Sequence, residues 1–158
     1  MNPTYSAIYS SPIGDLGILC DANHLLAIDW MDDLTQEYTL QYVDFVDDVI
    51  ELLDGYFNND GQIEHLPRMF LKGTELRQRV WNELMKIPPG TVRTYGGLTT
   101  ELQTSSRAIG QACRTNLIPI VIPCHRIIAK SSLGGFMGKA HRLDRKQWLL
   151  EHEGFQYQ

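Results

Sequence analysis

The sequence predicts an α/β protein with a β-meander and one helix in its N-terminal half and a mostly helical C-terminal half containing a helix-turn-helix. Apolar residues alternate with polar ones through the first thirty positions, which is the period of a strand. Later in the chain they recur at the 3.6-residue spacing of helices. The charges also divide between the two halves, which indicates two domains.

The three strands of the predicted meander begin with alternating Tyr5, Ala7 and Tyr9. A turn at residues 11–14 leads to alternating Leu16, Ile18 and Cys20, and a turn at residues 21–24 leads to Leu25–Trp30. An acidic amphipathic helix is expected from about Asp44 to Phe57. Residues 58–73 then read as a linker with a short strand.

The C-terminal half opens with a helix that Thr74 can cap, with Leu76, Val80, Leu84 and Ile87 as its apolar face. Pro88-Pro89-Gly90 ends this helix. Two short helices, about Gly96–Leu102 and Ser106–Arg114, have helix-turn-helix spacing. A short apolar strand is predicted at Ile118–Ile122, and a last helix at Asp144–His152 offers Trp148, Leu149 and Leu150 for burial.

All 14 basic residues lie between Arg68 and Lys146, whereas residues 1–67 contain 13 acidic residues and no basic one. Residues 68–146 contain four acidic residues and carry a net +10, although the whole chain carries -5. We predict two domains, 1–67 and 68–158, with a polyanion such as nucleic acid as the partner of the second. The alternative is that the acidic half only solvates itself and docks on the basic half.

The composition, 43% hydrophobic and 21% charged, is that of an ordinary globular protein. No apolar run reaches the roughly 18 residues of a membrane span, and no signal peptide is visible, so we expect a cytoplasmic protein without a membrane partner. Three cysteines without framework spacing indicate free thiols. Cys20 and His24 fall short of the four ligands of a structural zinc site, so no metal is expected.

Cys124 is followed directly by His125, which suggests a thiolate nucleophile. Neighbouring side chains project in different directions, so we expect a water to relay the proton between them. Glu153 is a candidate for the acid that orients the imidazole. By itself, the pair favours a buried core cysteine beside an incidental histidine.

Several motifs surround this pair in a fixed order: Gly90-Thr91-Val92-Arg93-Thr94-Tyr95, Ser106-Arg107-Ala108-Ile109-Gly110-Gln111-Ala112, Asn116, Ile122-Pro123-Cys124-His125-Arg126, Gly134-Gly135-Phe136 and Glu151-His152-Glu153-Gly154. Together they resemble the O6-alkylguanine-DNA alkyltransferase family, closely over residues 74–154 and more weakly through Ser11-Pro12-Ile13-Gly14. The resemblance implies a ribonuclease-H-like N-terminal domain and a winged-helix-like C-terminal domain.

The resemblance also implies a role for each matching residue. Cys124 would accept the alkyl group irreversibly, His125 would deprotonate it through a water, and Glu153 would pair with His125. Asn116 would brace the segment around the active site, and Tyr95 would donate a proton to the departing guanine. No cofactor is expected, because the cysteine itself keeps the alkyl group.

The implied partner is double-stranded DNA carrying O6-alkylguanine, bound through its minor groove by a monomer. Arg107 would fill the space that the extruded nucleotide leaves in the duplex. The further expected contacts are DNA-binding residues Ser106, Ala108, Thr94 and Arg114, and pocket residues Tyr95, Phe136, Met137 and Pro119.

The chain departs from the family pattern at three places. Leu117 stands where proline is usual, and Phe136 where tyrosine is frequent. The segment Gly138–Arg145 is longer and adds Lys139, His141, Arg142 and Arg145, which we expect to set the accepted alkyl group or to contact phosphates. Two alternatives remain: a module that binds lesions without chemistry, and a hydrolase built on Cys124, His125 and Glu153.

Overall fold

The structure is a computed structural model that describes residues 2–136 and 143–156. The chain divides into two compact units, Met1–Leu71 and Lys72–Gln158. Four residues with expected roles lie outside the described residues. They are Met137, predicted in the pocket, and Lys139, His141 and Arg142 of the segment Gly138–Arg145, called the specificity loop below. Within the described ranges, no helix combines the length and apolar character that crossing a membrane requires.

The first unit contains the predicted meander. Strands β2 (Ala7–Ser11), β3 (Gly14–Cys20) and β4 (Leu25–Trp30) form an antiparallel sheet in the order β2-β3-β4. Strand β1 (Thr4–Tyr5) pairs in parallel with β5 (Thr39–Leu40). The first predicted strand is therefore interrupted at Ser6, whose hydroxyl accepts a hydrogen bond from the Cys20 backbone N–H at 3.0 Å.

Helix α1 (Val46–Asn58) completes the first unit. It buries Val46, Val49, Leu53 and Tyr56, which recur at helical spacing and form one apolar face. The core of the sheet consists of buried side chains such as Leu16, Ile18 and Ile28. A single bridge between Leu25 and Met69 accounts for the short strand expected in residues 58–73.

The second unit is mostly helical, as predicted, with helices α2 (Glu75–Leu84), α3 (Tyr95–Leu102), α4 (Ser106–Arg114) and α5 (Leu143–His152). Strands β6 (Arg93–Thr94) and β7 (Ile127–Ile128) pair in parallel. Gln103 ends α3 in the left-handed conformation (φ 53°), and Ser105 caps α4 by accepting from the Ala108 N–H. These two residues form the turn of the helix-turn-helix.

The predicted strand at Ile118–Ile122 is wrong, because this segment is a turn. The Ile122 N–H bonds the Ile118 carbonyl at 2.9 Å, and the Asn116 side chain bonds the Ile118 N–H and the Ile122 carbonyl, each at 2.9 Å. The backbone groups that a neighbouring strand would need are therefore used locally. Ile120 has a φ of 74°, a conformation that costs a β-branched residue about 1–3 kcal/mol.

Candidate active site

Cys124 begins a short 3-10 turn, Cys124–Arg126, that follows Pro123. Its side chain is buried, with 3% of the residue exposed. Burial raises the pKa of the thiol to about 11, although the hydrogen bond from Asn116 and the charge of Lys146 act in the opposite direction. The thiol therefore needs a base to become a nucleophile at neutral pH.

Asn116 connects the end of α4 to this thiol. Its backbone N–H bonds the Cys113 carbonyl at 3.2 Å, and its Nδ2 group donates to Sγ of Cys124 at 3.3 Å. The same side chain holds the turn at residues 118–122. Because Asn116 is itself buried, its hydrogen bonds set the position of the sulfur atom within a rigid polar network.

A buried triad is formed by His125 and Arg126, which directly follow Cys124, and by Glu153 from the end of α5. Nε2 of His125 lies 2.6 Å from Oε1 of Glu153. Arg126 donates from Nε to Oε2 of Glu153 at 2.9 Å and from Nη2 to Oε1 at 2.8 Å. Nη1 of Arg126 also donates to the Ile87 carbonyl at 2.6 Å, so Arg126 ties the segment after Cys124 to the loop that follows α2.

The charges of this triad are mutually dependent. Burial lowers the pKa of His125, while Glu153 acts to raise it. Burial would raise the pKa of Glu153, but His125 and Arg126 outweigh that effect and hold it at about 2. Glu153 is therefore a carboxylate at neutral pH and His125 is a neutral imidazole that can accept a proton.

The second ring nitrogen of His125 is free for that purpose. Nδ1 is buried and has no hydrogen-bond partner among the described residues. No direct hydrogen bond joins it to Cys124 in the described part of the chain, and the relay through water stays a prediction.

Gly90 allows the end of α5 to approach the loop after α2. It has a φ of +81°, and a Cβ atom at this position would lie 2.9 Å from the Glu153 carbonyl oxygen. A side chain here would strain the backbone and displace Glu153. Gly90, which we expected to help end the preceding helix, thus also allows Glu153 to reach the site.

Tyr95, the first residue of α3, lines a cavity of about 1060 Å³. Burial raises the pKa of its hydroxyl to about 12, with smaller effects from Cys113 and Cys124, so it remains protonated at neutral pH. Phe136 and Pro119 are both buried and are absent from the described lining of this cavity.

The predicted DNA-binding residues lie mainly on one side of α4. Ser106, Arg107 and Arg114 are exposed, and Ala108 is half-buried. Exposed Thr94 caps α3, because its hydroxyl accepts from the Gly97 N–H at 3.1 Å. The opposite side of α4 is buried through residues such as Ile109, Ala112 and Cys113.

Lys146 is a buried site residue that the sequence analysis missed. Its Nζ donates to the carbonyls of Ile127 at 2.5 Å and Gly135 at 2.9 Å. Burial lowers its pKa to about 8, and the thiols of Cys124 and Cys113 partly oppose this. A signal was available, because Lys146 precedes the buried Leu149 and Leu150 by three and four residues and so shares their helix face.

Arg145 corrects the expectation for the specificity loop. It belongs to α5 and is only 4% exposed, so its side chain is withdrawn from a phosphate contact, one of the two roles expected for the segment Gly138–Arg145. Trp148, expected in the core, is only half-buried and stacks on His152 at 4.8 Å between ring centroids. All three cysteines are free and buried.

Two family models match the chain in succession. The "6-O-methylguanine DNA methyltransferase, ribonuclease-like domain" matches residues 4–67, and the "6-O-methylguanine DNA methyltransferase, DNA binding domain" matches residues 75–155. The "Methylated-DNA--protein-cysteine methyltransferase" of Sulfolobus acidocaldarius is 35% identical and covers 93% of this chain and 91% of its own. The Shigella flexneri protein of the same name is 34% identical, with 92% and 93% covered.

Solved structures give the same result. The "Crystal structure of Mycobacterium tuberculosis OGT in complex with DNA" is similar with a TM-score of 0.78 and 31% identity, covering 96% of this chain and 93% of that one. The O6-methylguanine-DNA methyltransferase from Pyrococcus kodakaraensis follows with a TM-score of 0.70 and 25% identity over 94% of this chain and 97% of its own. The resemblance that the sequence motifs carry is thus confirmed, and the chain belongs to the 6-O-methylguanine DNA methyltransferase family.

Proposed function

We propose that this protein repairs DNA by moving the alkyl group of an O6-alkylguanine to Sγ of Cys124. The observation that carries the proposal is the setting of this sulfur atom. It accepts a hydrogen bond from Asn116, and the next residue, His125, is paired with the Glu153 carboxylate. Its relatives are named for methyl transfer from DNA to a protein cysteine, and the Mycobacterium tuberculosis relative was crystallised with DNA.

The first step removes the thiol proton of Cys124. A water accepts this proton and passes one to Nδ1 of His125, the nitrogen with no other hydrogen bond in the described part of the structure. The imidazolium is stabilised by the Glu153 carboxylate at 2.6 Å. Asn116 and the Lys146 charge favour the thiolate that remains.

The second step is a displacement at the alkyl carbon. A bond forms between this carbon and Sγ of Cys124, the bond to O6 breaks, and its electron pair returns to the guanine ring. Tyr95 donates its hydroxyl proton to the ring and so offsets the developing charge. The tyrosinate left on Tyr95 regains a proton from solvent, and the imidazolium of His125 releases one to solvent. The proton lost by the thiol is thus matched by the one that guanine keeps, and no cofactor takes part.

The product explains why each molecule would act once. A thioether has no easy leaving group, so nothing in this sequence of steps regenerates Cys124. A hydrolase built on the same residues would turn over and would need donors for an oxyanion. A lesion-binding module without chemistry would not need a cysteine held by Asn116.

DNA is the proposed partner, bound by the exposed side of α4 in the minor groove. A minor-groove reader tolerates any surrounding sequence, which suits a repair protein. Arg107 would occupy the gap left by the extruded nucleotide, with backbone contacts from Ser106, Ala108, Thr94 and Arg114. The extruded base would be enclosed by Tyr95, Phe136, Pro119 and Met137.

We further expect a monomer that acts on DNA in the cytoplasm, associated with the nucleoid, or in the nucleus of a eukaryote. A monomer suffices because the acceptor, the base and the cations of α4 all belong to one unit of the chain.

Intact-mass spectrometry after incubation with a duplex containing O6-methylguanine tests the proposal. We expect one added methyl group per protein, mapped to Cys124. Cys124→Ala should gain none, whereas Cys113→Ala, which removes a second buried thiol, should still gain one. Methyl removal by Cys124→Ala, or continued turnover of the wild type, would contradict the mechanism.

A further inference from the structure

The cavity lined by Tyr95 is bordered by three cations from two segments of the second unit. Arg107 and Arg114 come from α4, and Lys130 follows β7. No acidic residue belongs to its described lining. All three cations are exposed, so their charge is available to a ligand at the cavity mouth.

These three cations have no partner among the described residues. In residues 2–136 and 143–156, no hydrogen bond or ion pair involves the side chain of Arg107, Arg114 or Lys130. Other cations of the same unit are neutralised, since Lys86 bonds Glu83 at 2.7 Å and Arg93 bonds Glu101. Three uncompensated charges therefore meet at the mouth of one cavity.

Lys130 is carried by a segment with fixed ends. It follows β7, which pairs with β6, and Lys146 binds the carbonyls of Ile127 and Gly135 on either side of it. A buried ammonium thus closes the loop that holds Lys130. This closure lowers the conformational entropy that the loop would lose when Lys130 binds an anion.

We propose that Lys130 is a DNA-binding residue that contacts a backbone phosphate flanking the extruded nucleotide. This inference rests on the proposed function and adds a contact from outside the helix-turn-helix. In that function Arg107 is engaged within the duplex and Arg114 contacts the backbone from α4, so Lys130 is the cation that the loop after β7 adds to the cavity. A lysine suits this role, because one phosphate oxygen can be met by a compact charge at the end of a flexible side chain.

The salt dependence of binding to a duplex that contains O6-methylguanine tests the number of phosphate contacts. All proteins compared in this test and the next carry Cys124→Ala, which cannot take the methyl group, so binding is measured without reaction. For Lys130→Gln, the slope of log K against log salt should be less steep by about 0.9, the value for one B-DNA phosphate. Lys130→Arg should restore the wild-type slope. The matched control is Lys72→Gln, which removes an exposed lysine of the same unit away from the cavity and should leave the slope unchanged.

A neutral methylphosphonate tests the position of the contact. It is placed in turn at the phosphate on each side of O6-methylguanine. At one of these two positions it should weaken binding when residue 130 is lysine, and Lys130→Gln should then weaken binding no further. If the methylphosphonate and Lys130→Gln weaken binding independently of each other at both flanking phosphates, the proposal is overturned. An unchanged salt slope for Lys130→Gln, or an equal change for Lys72→Gln, would overturn it as well.

The wild-type protein separates this inference from the proposed function. If the wild type gains no methyl group from damaged DNA, the proposed function itself fails. If it gains one and Lys130→Gln keeps the full salt slope, only the role of Lys130 is wrong.

Discussion

Nε2 of His125 and Oε1 of Glu153 lie 2.6 Å apart although 28 positions separate them in the chain. Both side chains are withdrawn from solvent, so their interaction is stronger than a surface contact between the same groups. Arg126 donates hydrogen bonds to both oxygens of the carboxylate, which keeps Glu153 ionised and oriented towards the imidazole.

Replacing Glu153 by glutamine should slow methyl transfer by about 100-fold, because a neutral amide cannot stabilise the imidazolium that forms on His125. Single-turnover transfer from a methylated duplex measures this effect. Glu151→Gln is the matched control, since Glu151 is exposed and bonds only Gln147 in the described structure. Equal rates for Glu153→Gln and the wild type would remove Glu153 from the mechanism.

The same carboxylate predicts how stability depends on acid. Its pKa is about 2 in the folded protein and near 4.5 when unfolded, so its contribution is present above pH 4.5 and is lost as pH falls towards 2. That contribution is about 3 kcal/mol. Urea unfolding between pH 5 and 2 should show a steep loss in the wild type and a flatter one in Glu153→Gln. Parallel curves would show that Glu153 is not the group responsible.

Asn116→Asp should suppress alkyl transfer at least tenfold, because a carboxylate beside Sγ of Cys124 disfavours the thiolate. The thiol pKa, followed by the ultraviolet absorbance of the thiolate, should rise. Asn82→Asp makes the same substitution at an exposed position of α2 and should change neither quantity. A thiol pKa unaffected by Asn116→Asp would mean that this hydrogen bond does not tune the nucleophile.

Lys146→Met separates a role in reactivity from a role in stability. Losing the charge should raise the Cys124 pKa and slow transfer, since this charge favours the thiolate. The free energy of unfolding should fall as well, because the carbonyls of Ile127 and Gly135 lose their donor, and a buried carbonyl left without a partner costs about 1–3 kcal/mol. A normal reaction rate together with severe destabilisation would assign Lys146 a structural role alone.

Tyr95→Phe should slow transfer about tenfold or more while weakening DNA binding only modestly, because it removes the proton donor and keeps the aromatic ring. Stopped-flow transfer and equilibrium binding on the same duplex measure the two effects. Tyr42→Phe, which removes an exposed hydroxyl from the first unit, is the control. Equal transfer rates for Tyr95→Phe and the wild type would exclude the donor role.

Local signals predicted most of the elements. Thr74 caps α2 through a contact with Arg77 only three residues away, and the apolar spacing of Val49 and Leu53 identifies α1. The segment Ile118–Ile122 shows the limit of such signals, because its apolar residues fit a strand equally well. The hydrogen bonds of Asn116 and the turn at Ile120 decided its conformation.

The sequence by itself determined the division of charge, the order of helices and strands, and the Pro123-Cys124-His125-Arg126 motif that marks the family. Periodicity, capping and net charge depend on near neighbours or on composition, so they can be read without a fold. Only the tertiary structure decided that Lys146 is buried beneath the loop, that Arg145 leaves the surface, and that Lys130 joins the cavity of Tyr95. These facts arise from packing between segments distant in the chain, where burial turns an ordinary charged side chain into part of a site.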